Sequence, residues 1–175
     1  MGKICLNKLT SNITVDCTVA PVGVKNIYIM HAEDVTFTYL TDWQVSTVVF
    51  AKDAKSYKVE GYKQNIQVTS SLKTTDASAR VDTSVTFKVP YSYLGRKFIN
   101  ALASGKFCVL VEFNDGGYTL HGYASPLECS SADFDSNANA KMVTITLASP
   151  EGSAGNHLMG VMPAVANTIK SKVGV

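Results

Sequence analysis

The sequence predicts a mainly β fold of α+β character: an antiparallel β-sandwich or barrel with one flanking helix and a C-terminal arm. Three observations carry this reading. Short runs of β-branched and aromatic residues alternate with polar ones along most of the chain, broken by polar or Gly-containing turns. Residues 107–123 read as a complete hairpin. A helical period is convincing only at about 90–104, so no regular strand–helix alternation points to parallel βαβ units.

Strands are expected at 12–20, 27–31, 35–40, 45–51, 56–60, 65–73, 82–89, 107–113, 118–123 and 142–147. The hairpin is the clearest unit. Phe107-Cys108-Val109-Leu110-Val111-Glu112-Phe113 is apolar on nearly both faces, which places it in the middle of a sheet. Asn114-Asp115-Gly116-Gly117 then supplies residues that tolerate positive φ, and Tyr118 to Tyr123 returns. In the helix, Leu94, Phe98, Ile99 and Leu102 form one stripe, with Pro90 at the entry and Gly105 at the exit. Arg96, Lys97 and Asn100 are expected to face solvent or a partner.

A chain of 175 residues with 46% hydrophobic content can bury one sizeable core, so a single domain is expected over 1–148. Residues 149–156 have linker composition. The remainder is apolar but interrupted by Gly160 and Pro163, with Val165, Ile169 and Val173 spaced four apart. Residues 149–175 are therefore expected to form a linker and an amphipathic arm, docked either on its own domain or on a neighbouring subunit.

Sixteen basic against fourteen acidic residues leave a formal charge of +2, with no charge run that would attract nucleic acid or anionic lipid. The N-terminus has no basic start followed by a long apolar stretch, so a secretory signal is not expected. No apolar run approaches membrane-spanning length. Cys5, Cys17, Cys108 and Cys129 lie far apart without a C-x-x-C pair, and free thiols are expected.

No constellation argues for catalysis, and no cofactor is expected. His31, His121 and His157 share no metal-ligand spacing; a surface pair between His121 and Glu112 on the facing strand explains the second of them. Asp133-Phe134-Asp135-Ser136-Asn137 spaces oxygen ligands as a calcium loop begins. However, Ala138 stands where such a loop needs Gly and Thr144 where the bidentate Glu belongs, so a polar inter-strand loop is expected. Asn12-Ile13-Thr14 matches a glycosylation acceptor by chance. No phosphate-binding glycine motif or serine-hydrolase elbow occurs. Tyr28, Tyr39, Trp43, Tyr57, Tyr62, Tyr91 and Tyr93 supply aromatic surface, suited to core or interface and, less readily, to stacking on sugar rings.

The order of these segments carries a resemblance. A strand near Asp16-Cys17 is followed by Asn26-Ile27-Tyr28-Ile29 and by a helix ending in Leu102 and Gly105. Then come Val109 to Phe113, Leu120 to Glu128 and a closing run from Met142 to Glu151. This arrangement, over roughly residues 12–151, resembles small structural proteins of phages infecting Bacteroides-type bacteria, particularly tail or neck ring components of crAss-like phages. It also resembles the wider tail-tube module, a β-sandwich with a flanking helix. The resemblance transfers no catalytic residues.

It implies a non-enzymatic virion subunit, made in the bacterial host cytoplasm, that forms an oligomeric ring around the DNA passage. Its partners would be copies of itself and other phage tail, neck or portal proteins, without sequence-specific nucleic acid or membrane. The expected contacts are the loops at 51–56 and 129–140 and the C-terminal arm. Asp133, Phe134, Asp135, Val165, Ile169 and Val173 are the expected oligomer-interface residues. A carbohydrate-binding or adhesin-like β-sandwich is the alternative.

Overall fold

The computed structural model describes residues 23–40, 44–61, 65–75, 78–134, 141–150 and 159–174. The strand expected at 12–20, Cys5, Cys17, Trp43, Tyr62, Asp135, His157 and most of the expected linker lie outside them. Among the described residues the chain is mainly β, with eleven strands in one mixed sheet and two helices.

The first strands are β1 (Val24–His31), β2 (Val35–Leu40), β3 (Gln44–Phe50), β4 (Ser56–Glu60), β5 (Ile66–Thr75) and β6 (Ser78–Pro90). Helix α1 (Tyr93–Leu102) follows. Then come β7 (Lys106–Phe113), β8 (Tyr118–His121), β9 (Leu127–Phe134), β10 (Met142–Ala148), β11 (Met159–Val161) and α2 (Pro163–Ser171).

The antiparallel pair β1–β7 is the spine, in the register Ile27↔Val111 and Tyr28↔Leu110. Both strands are apolar on both faces, and alternation sends their side chains into two separate cores. Ile27, Ile29, Phe107, Val109 and Val111 meet Ile66, Val85, Phe87, Leu127, Val143, Ile145 and Leu147, with Leu102 of α1. Tyr28, Met30, Cys108 and Leu110 meet Val35, Val45, Val48, Leu120, Met159 and Val161, with Val165, Ala166 and Ile169 of α2. Burying each such aliphatic side chain contributes about 1.5–3 kcal/mol, so a single strand anchors two hydrophobic layers.

The sheet forks at β7. One edge carries β1; the other is shared by β8, opposite Val109–Glu112, and β9, opposite Lys106 and Phe107. The paths then run β8-β11-β3-β2 and β9-β10-β6-β5. Gly122 sits at the fork with φ +81°, and a Cβ there would lie 2.6 Å from the Phe107 carbonyl oxygen, so both the turn and the close approach require glycine. β11 pairs in parallel with β3, while every other pairing between the described strands is antiparallel; the isolated Ser56–Val173 bridge is also parallel.

The hairpin of β7 and β8 forms as the sequence indicates, its turn closed by Gly117 C=O accepting from Phe113 N–H at 3.0 Å. Two expectations change, and of the two dockings expected for the C-terminal segment the structure shows the one on its own chain. Helix α1 starts at Tyr93, with the Ser92 hydroxyl capping Gly95 N–H at 3.1 Å. Gly95 is buried where a Cβ would collide with the Pro90 carbonyl oxygen, which turns the 95/98/99/102 face to the sheet and leaves Leu94 74% exposed. Residues 129–134, read as part of a loop at 129–140, lie in β9 against β10. The C-terminal segment contributes β11 to the sheet and α2 to the second core, so it packs on its own chain.

Candidate functional site

Among the described residues the main path of the sheet ends in two strands with one strand neighbour each, β2 on β3 and β5 on β6; off that path, β4 has β1 as its one strand neighbour. β2 reads Val-Thr-Phe-Thr-Tyr-Leu, without a charge, Pro or Gly, whereas edge strands in monomers are usually blunted by such residues. Ala51 N–H donates to Asp34 C=O at 2.8 Å, which sets the ladder so that the main-chain groups of Val35 and Phe37 face the open edge. Tyr39, Leu40 and Val49 of this corner are exposed.

At the opposite end, β5 and β6 stay paired out to Thr75↔Ser78, while β10 accompanies β6 only to Ala148↔Ser84. Beyond Ser84 the hairpin therefore continues as a two-stranded ribbon past the sheet. Leu72, 67% exposed, lies on it opposite Val81. A polar hollow of about 340 Å³ at its base is lined by Thr69, Lys73, Asp82 and Ser149, among others, with Lys73 and Asp82 paired at 3.0 Å.

The α1 face is the third exposed feature. Tyr91 and Phe134 stack with ring centroids 4.3 Å apart, and the Arg96 guanidinium lies 5.5 Å from the Tyr91 centroid. Tyr91, Tyr93, Leu94 and Phe134 are all exposed. Aromatic and arginine side chains of this kind are enriched where proteins bind each other. Between α1 and β4 runs a mainly apolar cleft of about 600 Å³, walled by Val59, Val89, Leu94, Phe98 and Met142.

A charged cluster ties the C-terminal helix to the spine. Glu112, 5% exposed, accepts from Asn26 Nδ2 at 2.7 Å, Lys170 Nζ at 2.6 Å and the Tyr28 hydroxyl at 3.1 Å. Lys170 also donates to the Tyr118 hydroxyl at 2.6 Å. Burial alone would raise the Glu112 pKa, but the Asn26 and Lys170 hydrogen bonds and the Lys170 charge outweigh it and hold the carboxyl at about 2. Burial works against the Lys170 ammonium, yet Glu112 and Tyr118 raise its pKa above the usual lysine value. The Tyr28 hydroxyl is pushed up to about 12 by burial and by the Glu112 charge. Every member is satisfied, and no reacting group is left poised, so the arrangement is a buried clamp.

His121 is not the partner of Glu112. The register sets it opposite Val109, with Glu112 opposite Tyr118. His121 is buried, its Nε2 lies 2.9 Å from the Thr119 hydroxyl, and burial pushes its pKa down to about 4. Asn26, Lys170 and Tyr28 reach Glu112 from sequence separations of 86, 58 and 84, which no local spacing signals.

The expected interface residues separate. Val165 and Ile169 are buried in the second core, and Val173 bridges Ser56 beside β4. Asp133 and Phe134 lie on β9 opposite Thr144 and Val143, so Cys129–Phe134 is strand and not part of a polar loop; Asp135 is outside the described residues. Of these, Phe134 joins the exposed aromatic face. In the other expected contact loop, Ala54 and Ser56 are buried while residues 51–53 are exposed. Among the described residues no three His, Cys, Asp or Glu side chains gather as a metal site. Cys108, buried, and Cys129, half-buried, are free thiols. No described helix is long and apolar enough to cross a membrane.

No family model, characterised protein or solved structure matches this chain.

Proposed function

We propose that this chain is a structural subunit that assembles with copies of itself, and more specifically a tail-tube-type virion subunit forming a ring in a phage tail or neck around the DNA passage. The observation that carries the reading is that β2 and β5, at the two ends of the sheet's main path, each keep one open edge among the described residues. Two different edges on one subunit favour heterologous, head-to-tail contact, and such contacts generate rings when the rotation closes. The ribbon beyond Ser84 gives the β5 end additional reach. In the assembly the partners would be other copies and neighbouring tail, neck or portal proteins, within a virion built in the bacterial host cytoplasm.

Light scattering after size exclusion, with negative-stain imaging, tests this. Closed rings, formed alone or on addition of the neighbouring phage proteins, are expected. A strict monomer under both conditions overturns the reading.

A second reading, a carbohydrate-binding or adhesin-like module, is favoured by one observation: the exposed Tyr91–Phe134 stack beside Arg96, since flat aromatic surface suits sugar rings. Glycan binding that Tyr91→Ala abolishes would support it.

A further inference from the structure

The β2–β3 hairpin reaches the rest of the sheet through the C-terminal segment. Among the described residues β3 has two strand neighbours, β2 and β11, and β2 has β3 alone. The ladder from hairpin to spine therefore passes through the three residues of β11. On one side Gly160 and Val161 pair with Gln44 and Val45 of β3; on the other, Met159 and Gly160 pair with Leu120 and Thr119 of β8. Met162 N–H donates to Val45 C=O at 3.3 Å and carries the connection into α2, which lies against β3.

Packing repeats the pattern. The second core has three parts: Val35, Val45 and Val48 from the hairpin, buried residues of β1, β7 and β8, and Met159, Val161, Val165, Ala166 and Ile169 from the C-terminal segment. The first core takes none of its described residues from the hairpin or that segment. Away from the hairpin the segment is fastened to the body at two points. Lys170 holds Glu112 and Tyr118, and the Ser56 hydroxyl donates to Ile169 C=O at 2.8 Å while Ser56 N–H donates to Lys172 C=O and Gly174 N–H to Ser56 C=O, both at 3.0 Å. The hairpin has a direct hold on the body in Tyr39, whose ring centroid lies 5.2 Å from that of Tyr123, but Tyr39 is 44% exposed.

We propose that residues 159–174 are a strap: docked, they hold the β2–β3 hairpin on the sheet, and hairpin and strap open together as one unit, uncovering the β8 edge at Thr119 and Leu120 while the first core stays closed. Native proteins open locally in contiguous cooperative units, and those with the fewest anchoring contacts open most readily. A two-stranded hairpin is marginal in water by itself, so once detached it gives up its own ladder as well. Such opening is a rare excursion from the native state, and heating still reads a single global transition. The inference concerns one chain and goes beyond assembly; the open edge of β2 rides on the hairpin that the strap holds.

Native-state amide hydrogen exchange on the full-length chain, read residue by residue by NMR, tests this. The amides of Thr47 and Val49 bond to β2 in the ladder set by Asp34 and Ala51, whereas Lys170, Glu112, Tyr118 and Ser56 all lie outside the hairpin. Lys170→Met should accelerate exchange at Thr47 and Val49 together with the amides of α2, by about 30-fold. Ser56→Ala, a milder change at the other fastening, should do the same by about 5-fold. Ile145→Val, in the first core, should speed the amides of β6 and β10 by about 2- to 10-fold and leave Thr47 and Val49 at wild-type rates. Thr47 and Val49 unmoved by Lys170→Met and Ser56→Ala would show that the hairpin holds without the strap and overturn the inference. Acceleration of these two amides by Ile145→Val as large as that in β10 would overturn it too, because the hairpin would then open only with the whole molecule.

Discussion

Lys170 of α2 places its ammonium 2.6 Å from the Glu112 carboxylate of β7, closing the C-terminal helix onto the strand that organises both cores. Glu112 is buried, so removing its cation leaves a carboxylate that Asn26 and Tyr28 only partly satisfy. Breaking a fully buried pair costs about 3–5 kcal/mol. Lys170 is 26% exposed, which admits water and reduces the cost to about 2 kcal/mol for Lys170→Met. Chemical denaturation should show this loss, and Lys25, 3.7 Å from the same oxygen, should leave stability nearly unchanged when replaced by Met.

Acid should lower the protein's stability along two limbs with different owners. His121 has a folded pKa of about 4, below the ordinary 6.5, so the unfolded chain binds the extra proton first. Stability from keeping this histidine neutral is complete above 6.5 and is lost as pH falls toward 4, about 3 kcal/mol in all. Glu112, held at about 2 against 4.5, contributes above 4.5 and loses its share as pH falls toward 2, again about 3 kcal/mol. Stability measured against pH should lose its upper limb in His121→Gln and keep its lower one. An unchanged upper limb would assign that step elsewhere.

The two-faced spine gives a test of packing. Val109 and Leu110 are neighbours in sequence, fully buried, and belong to different cores. Leu110→Ala should cost about 2–5 kcal/mol, and Val109→Ala somewhat less because fewer methyl groups leave. Because the cores share one strand, thermal unfolding of each variant should remain a single transition reported alike by near-UV and far-UV circular dichroism.

Leu94 and Leu102 separate what was legible in the sequence from what was not. The helical stripe identified α1, but the close approach of Gly95 to Pro90 rotates the buried face by one residue, and periodicity alone does not reveal it. Leu102→Ala should therefore cost about 2–5 kcal/mol, while Leu94→Ala stays within about 0.5 kcal/mol in urea unfolding. The β7–β8 hairpin was legible because pattern and turn chemistry agree there. β9 was not: Leu-Glu-Cys-Ser-Ser-Ala-Asp-Phe is largely polar, and its pairing with β10 rather than its composition makes it a strand. The spacing of Val165 and Ile169 announced an amphipathic helix, but no local signal says which surface such a helix covers. The clamp on Glu112 joins β1, β7, β8 and α2, a convergence created by the fold.

The β2 edge supplies the test that bears most directly on assembly. Thr38 hydrogen-bonds through its main chain toward β3 in the ladder set by Asp34 and Ala51, while its side chain lies on the opposite face from the core-packed Phe37. Lysine at this position therefore leaves the core and the internal ladder intact, and its stability cost should stay within about 0.5 kcal/mol. At an edge that must accept another strand, the same ammonium has to be desolvated or bent away, which is how lysine protects natural edge strands from pairing. Thr38→Lys should thus keep the melting temperature and dissociate the proposed oligomer in light scattering. Thr86 lies on β6, an interior strand between β5 and β10, so Thr86→Ser should change neither assembly nor the melting temperature by much. Assembly that survives Thr38→Lys at wild-type strength would exclude β2 as the contact and leave the β5 edge, with its ribbon, or the outer edge of β4 to join copies by another geometry.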